Sequence, residues 1–385
     1  MSGLSVVPDT CVSRPAESNN QIKSNNQTMK IVVACGGTGG HAFPGLAVAE
    51  ELRRRGHEVT VWDSGRDVES SVMRSWNGPI FSTGAKQLSL RNLFAIWRSI
   101  RRCRWEMKKA KPDALLAMGS YSSLPPVLAA KKCGVPVVLH EANTVPGRAV
   151  EFLSRYAKTV AISFDVTAKY LPGVKTVRTG LPVRDGITKG VRFPNVPADA
   201  FTVFVTGGSQ GAHMVNLLMS EALVQVNEEL RRRGEAAKRK LYVIHQTGVK
   251  DEGPVMAAYA AAGMDARVHA FEQEMANAFA TADIVVARAG ASTCFELAAC
   301  AKPALLIPLP TAMRDHQHYN ADAFAASGAA DEGIQSKLAA HQLSRYLLAK
   351  YDHPEQLVAM REKMALLATP DAAAKVAELV ESSAK

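Results

Sequence analysis

In "ACGGTGGHAFPG" a histidine, His41, follows four glycines at the end of an apolar run, and in "RAGASTCFELAAC" a glutamate, Glu296, lies one turn inside a helical pattern. An imidazole titrates near neutrality, which suits it to take a proton from a hydroxyl. A carboxylate accepts two hydrogen bonds from a diol, which suits it to a ribose. "RDHQHYNA" adds Asp315, His316, Gln317 and Asn320 directly after the apolar "ALLIPLP", and "HEANTVPG" adds His140, Glu141 and Asn143. Each of these groups also has an ordinary reading. His41 can bond backbone at a helix start, Glu296 can be a first-turn acid favoured by the helix dipole, and His140 can be structural.

The segments that place these residues repeat one plan. "KIVVAC" is an apolar strand, "GGTGG" a turn, and the text to about Arg55 a helix; "FTVFVTGGSQGAHMVNLLM" restates the order near residue 200. A strand feeding a glycine turn and a helix gathers unpaired amides at one point, which attracts phosphate. The same turn, "GTGGHA", satisfies GxGxxA with Asp63 at the end of the next strand, so an NAD-dependent oxidoreductase is an alternative reading. The second glycine turn and the polar loops of the far half count against it.

Short β-branched runs alternate with helices through both halves, which predicts two α/β domains with parallel sheets. The expected division is a disordered extension over 1–28, one domain over 29–190, a second over 191–368, and a last helix over 369–385. The hinge falls in "GLPVRDGITKGVRFPNVPADA", where Pro and Gly are dense.

A formal charge of +10 favours anionic partners. The six cysteines form no CxxC pair and no DxD occurs, so neither a disulfide framework nor a metal site is expected, and no cofactor is implied. No apolar run reaches the roughly 18 to 20 residues of a membrane span, so contact with a membrane is expected to be peripheral. "KQLSLRNLFAIWRSIRRCRWEMKKAK" carries nine Lys or Arg against one Glu. Helical spacing brings Leu93, Trp97 and Ile100 to one side, with Phe94 beside them and Arg101, Arg102 and Arg104 on the basic face. This suits an anionic lipid surface. An ordinary packed helix is the plain reading, and no nucleic-acid-binding motif accompanies the patch.

With "GGTGGHAFPGLAVA", "HEANTVPG", "GLPVR", "GGSQGA", "HQTG", "RAGASTCFE" and "DHQHYNA" in this order, the sequence resembles the MurG family of bacterial transferases from Met29 to about residue 370. The resemblance implies a GT-B fold of two Rossmann-like domains facing across a cleft. It implies transfer of N-acetylglucosamine from UDP-N-acetylglucosamine to lipid I at the cytoplasmic face of the membrane; a related diacylglycerol galactosyltransferase is the near alternative. The donor residues it implies are Thr38, Gly39, Gly40, Asn143, Arg184, Ser209, Ala291, Ser292, Thr293, Cys294, Phe295, Glu296 and Gln317. His41 is then the general base, with Glu141 a second catalytic candidate and Tyr121 on the acceptor side. Three departures stand out: Leu181 replaces an Asn, "GSYSSLPP" replaces a glycine-rich loop, and Glu272 stands where an apolar residue often meets uracil.

Overall fold

A computed structural model describes residues 27–37, 39–65, 73, 75–87, 89–208 and 211–384; residues 1–26 of the expected extension and the expected donor residues Thr38 and Ser209 lie outside the described residues. The first half contains strands β1 (Lys30–Ala34), β2 (Glu58–Asp63), β3 (Ile80–Ser82), β4 (Ala114–Ala117), β5 (Val137–Glu141), β6 (Thr159–Ile162) and β7 (Thr176–Arg178). Its helices are α1 (Gly39–Arg54), α2 (Leu93–Ala110), α3 (Leu124–Cys133) and α4 (Arg148–Leu153). The strands pair in parallel in the order β3-β2-β1-β4-β5-β6-β7.

The second half contains β8 (Phe201–Thr206), β9 (Leu241–Gln246), β10 (Ala266–His269), β11 (Ile284–Ala287), β12 (Ala304–Leu306) and β13 (Ala330–Glu332). Helices α5 (His213–Arg233), α6 (Glu252–Ala261), α7 (Met275–Thr281), α8 (Ala291–Ala299), α9 (His316–Ala325), α10 (Ala340–Asp352) and α11 (Pro354–Leu366) alternate with them. This sheet is also parallel, in the order β10-β9-β8-β11-β12-β13. In each sheet the strand order reverses beside the strand that carries a glycine turn, β1 and β8. Such a switch point leaves a crevice at the carboxyl ends of the strands, where ligands bind in open α/β sheets.

Apolar side chains fill both faces of each sheet. Val33 and Ile31 pack under α1, while Val32 and Ala34 pack with Cys103 and Met107 of α2 and Val127 of α3. A further cluster crosses between the halves: Phe164 of the first meets Phe295 at 5.2 Å and Phe324 at 6.3 Å between ring centroids. Leu181 is fully buried in this cluster, so the apolar replacement there fits its surroundings.

The chain crosses between the halves a second time after α11, and helix α12 (Ala372–Ser383) packs against α1 through Val376, Ala377 and Val380. Glu381 accepts from Arg55 at 3.0 Å and from His57 Nε2 at 2.9 Å. The two crossings touch at Gly180. Its φ of +78° is left-handed, and a Cβ there would stand 2.4 Å from the Thr369 side chain. Only glycine fits both constraints.

Desolvation holds the pKa values of three histidines down: His41 and His140 to about 4, His245 to about 3. The unfolded chain, with histidine pKa near 6.5, binds more protons than the native one between about pH 6.5 and 4. Stability should therefore fall as pH drops through that window, by up to about 1.4 kcal/mol per pH unit for each histidine. Glu141 and Glu296, raised by burial, oppose this in part. His245 bonds Tyr259 at 2.8 Å and Asn216 at 3.2 Å. A His245→Gln variant, which keeps polar atoms there, should show a shallower acid dependence of Tm; an unchanged slope would contradict this.

Candidate active site

The first glycine turn joins β1 to α1. Gly37 has a φ of +125°, and a Cβ on it would lie 2.6 Å from Ser120 Oγ. The loop after β4 braces this turn: Ser122 Oγ donates to the Gly36 carbonyl at 2.5 Å, and Ser123 Oγ donates to the Gly119 carbonyl. Ser122 and Ser123 of this altered loop thus turn their hydroxyls toward main chain. Tyr121 lies half-buried in the same loop.

Helix α1 carries a proline in its second turn, Pro44. Proline has no N–H, so the carbonyl four residues earlier, that of Gly40, has no helical donor. Ser292 Oγ, from the N-terminus of α8 in the other half, donates to it at 3.1 Å. The N-termini of α1 and α8 therefore meet across the cleft. The first amides of each helix have no partner within it, and both dipoles point their positive ends at this junction.

His41 sits in the first turn of α1, partly buried. Burial, with a contribution from His316 of α9, lowers its pKa to about 4, so it is neutral at pH 7 and able to accept a proton. His140 lies fully buried at the end of β5 with its Nε2 3.1 Å from the Gly180 carbonyl. A carbonyl only accepts, so Nε2 carries the hydrogen and Nδ1 is a buried acceptor without a protein partner.

Glu141 is buried, and its carboxylate accepts from the amide and side chain of Asn143 at 2.9 and 3.0 Å and from the Gly147 amide at 2.9 Å. Its oxygens hold together the loop that follows β5. Asn143 in turn accepts from Asn320 Nδ2 at 3.1 Å through its side-chain oxygen. Asn320, fully buried, also donates to the Ala289 carbonyl and accepts from the Thr144 amide and hydroxyl, both at 3.0 Å. One asparagine therefore bonds the two halves together with all its donors and acceptors in use. The motif containing Asn320 was visible in the sequence; its partners were not.

In the run from Ala291 to Glu296 the side chains divide. Ala291, Cys294 and Phe295 face the core, with burial pushing the Cys294 thiol up to about 12, so a ligand can meet these three only through main chain. Ser292 and Thr293 are half-exposed at the helix start. Glu296 is buried, and Arg184 forks onto it, Nε to Oε1 at 2.6 Å and Nη2 to Oε2 at 3.2 Å. The guanidinium lies 4.3 Å from the ring centre of Phe43, a residue of α1 that sequence reasoning passed over. Gln317 accepts from the Leu309 amide at 3.0 Å. Gly39 and Gly40 form the start of α1.

The second glycine turn is braced from β9: Gln246 Nε2 donates to the Gly208 carbonyl at 2.7 Å. Glu272, buried, is turned aside by Arg267, which pairs with it at 2.8 and 3.1 Å. Asp63, on which a dinucleotide reading relied, accepts from Ser82 Oγ at 2.6 Å. Among the described residues no group of three or more His, Cys, Asp or Glu is arranged to hold a metal ion.

Two doubly wound parallel-sheet domains, joined by a double crossing and facing across a cleft where helix N-termini meet, are a glycosyltransferase architecture of the GT-B type. Residues 31–162 match the glycosyltransferase family 28 N-terminal domain and residues 202–376 the family 28 C-terminal domain. The chain is 36% identical over 360 residues to the UDP-N-acetylglucosamine–N-acetylmuramyl-(pentapeptide) pyrophosphoryl-undecaprenol N-acetylglucosamine transferase of Myxococcus xanthus, covering 91% of this chain and 92% of that protein. The Geobacter sulfurreducens enzyme of the same name is 36% identical, with 93% and 100% covered. The crystal structure of Acinetobacter baumannii MurG superposes with a TM-score of 0.73 at 30% identity, covering 92% of this chain and 100% of that one. The chain belongs to this MurG family of N-acetylglucosamine transferases.

Proposed function

We propose that the protein is an inverting glycosyltransferase that moves N-acetylglucosamine from UDP-N-acetylglucosamine to the C4 hydroxyl of the muramyl sugar of lipid I, giving lipid II. The product is the precursor of peptidoglycan, which ties the enzyme to cell-wall synthesis, cell shape and division. The observation that carries the reading is the junction of the α1 and α8 N-termini at the Ser292–Gly40 bond, with His41 in the first turn of α1. The diphosphate is met there by amides and by the Thr293 hydroxyl, joined by that of Ser292 once it leaves the Gly40 carbonyl. The acceptor hydroxyl attacks the anomeric carbon from the face opposite UDP, His41 takes its proton, and UDP leaves with the bonding pair. An α-linked donor gives a β-linked product.

The remaining donor contacts are assigned to Thr38, Gly39, Gly40, Arg184, Ser209, Glu296 and Gln317, and to the main chain of Ala291, Cys294 and Phe295. Asn143 shapes this surface through Asn320. Tyr121 faces the acceptor side. The decisive test is a product assay with radiolabelled UDP-N-acetylglucosamine and a short-chain lipid I analogue. Labelled disaccharide product is expected; hydrolysis of the donor without transfer would contradict the reading. Turnover should persist in EDTA, since charge on UDP is met by the protein's dipoles. Full loss in EDTA restored by Mg²⁺ would overturn that part.

The acceptor is lipid-linked, so the N-terminal domain must approach the cytoplasmic face of the membrane. No helix among the described residues is long and apolar enough to cross it. Helix α2 buries Ile96, Ser99, Cys103 and Met107 against the domain and exposes Leu93, Phe94, Trp97 and Trp105. Arg101 lies 4.7 Å from the Trp97 ring centre and Lys109 5.4 Å from that of Trp105, so aromatic rings and cations share one outer surface. Each basic residue near an anionic surface contributes about 1 kcal/mol. Sedimentation with phosphatidylglycerol-containing liposomes should fall with salt and with charge reversal at Arg101, Arg102 and Arg104. Binding indifferent to both would reject this face.

A further inference from the structure

A ribose diol and the Arg184 fork require the same two oxygens of Glu296. The Glu296 side chain is 5% exposed and that of Arg184 26%, so the guanidinium forked onto the carboxylate is the more exposed of the two. Arg184 lies at the seam between the domains, with Phe43 of α1 against its guanidinium. Along α8, Glu296 stands four residues beyond Ser292, on the same face and about 6 Å from it along the axis at 1.5 Å per residue. That displacement is within the reach of an arginine side chain. A guanidinium leaving the carboxylate toward the cleft therefore arrives beside the helix terminus read above as the diphosphate site.

We propose that Arg184 is an exchangeable partner: it holds the Glu296 carboxylate in place through a two-pronged ion pair, and passes to the donor's diphosphate as the ribose hydroxyls take over Glu296. The inference rests on the reading of this cleft as a uridine diphospho-sugar site. It assigns Arg184 a positioning function toward Glu296 in addition to contact with phosphate. The exchange keeps both charged groups hydrogen-bonded. The carboxylate passes from guanidinium to diol, and the guanidinium from carboxylate to diphosphate, so neither buried charge is left bare, which would otherwise cost several kcal/mol. Movement of Arg184 off Phe43 also links donor entry to the contact between the domains.

The exchange separates ligands with and without phosphate. Uridine must displace Arg184 with no new partner for it, whereas UDP supplies one. Arg184→Lys keeps the cation but cannot fork, so it releases Glu296 more readily. Calorimetry of the full-length protein at pH 8 should show uridine binding at least threefold tighter to Arg184→Lys than to wild type, with UDP within threefold. Arg184→Met, which removes the cation, should weaken UDP at least tenfold without weakening uridine. Thermal unfolding of both variants checks that the fold is retained. Uridine binding that is unchanged or weaker in Arg184→Lys, or uridine and UDP weakened alike in Arg184→Met, would overturn the exchange. Failure of UDP to bind wild type at millimolar concentration would instead remove the uridine-nucleotide reading itself.

Discussion

Replacing His41 by alanine is expected to lower kcat by about 10²- to 10⁴-fold, the usual contribution of a general base, while UDP affinity changes by less than tenfold. The imidazole lies in the first turn of α1, beside the bond that joins the two helix N-termini. Burial, then His316, keeps its pKa near 4, so it is unprotonated at pH 7 but a weak base. A diphosphate at the junction changes this. Negative charge nearby favours imidazolium and raises the pKa in the donor complex, where a stronger base is needed. A base must be unprotonated to act, so activity is lost as pH falls through its pKa. The profile of kcat/KM, which reports the free enzyme, should then break at lower pH than that of kcat, which reports the complex. Both breaks should vanish in His41→Ala. A variant with kcat within threefold of wild type would show that the proton leaves by another route.

The second large effect is expected at Asn320. Its side chain accepts from the Thr144 amide and hydroxyl and donates to Asn143 and to the Ala289 carbonyl, all from a fully buried position. Alanine leaves these groups without partners, at about 1 to 3 kcal/mol for each buried group that finds no substitute. Opening of the cleft admits water to them and relieves the cost. The variant should therefore favour the open arrangement by about 2 to 4 kcal/mol, a loss of roughly 30- to 1,000-fold in the closed population. The expected result is a matching fall in kcat/KM and a larger radius of gyration by small-angle scattering, with the separate sheets intact by circular dichroism. Unchanged kcat/KM and radius would show that closure depends on other contacts, such as Arg314 to Glu151 at 2.6 Å.

Central strands were legible because they are buried on both faces and read as unbroken apolar runs: "KIVVA", "FTVFVT" and "DIVVA". Three of the four edge strands were not. "IFS", "TVR" and "ADE" are three residues long and partly exposed, so neither alternation nor an apolar run marks them. The glycine turns and the chemical types of His41 and Glu296 were legible because each signal is local.

Pairings between distant residues left no such trace. Nothing in "GLPVR" and "STCFE" announces that Arg184 and Glu296, 112 positions apart, share an ion pair. Nor does "DHQHYNA" announce that Asn320 reaches Asn143, 177 positions away. Nor was it visible that the Asn143 side chain is engaged by Glu141 and Asn320. Pro44 is the exception. Its missing N–H leaves the Gly40 carbonyl without a helical donor, which is readable from sequence, and the structure shows Ser292 using it.

The proposed function turns on a donor diphosphate bound between the domains by helix amides and hydroxyls. Its most direct test is a crystal structure of the protein with UDP-N-acetylglucosamine. The ribose is expected at Glu296, the diphosphate at the N-terminus of α8 and the anomeric carbon facing His41. A nucleotide lodged outside the cleft, or a diphosphate held by a bound cation in place of those amides, would contradict it.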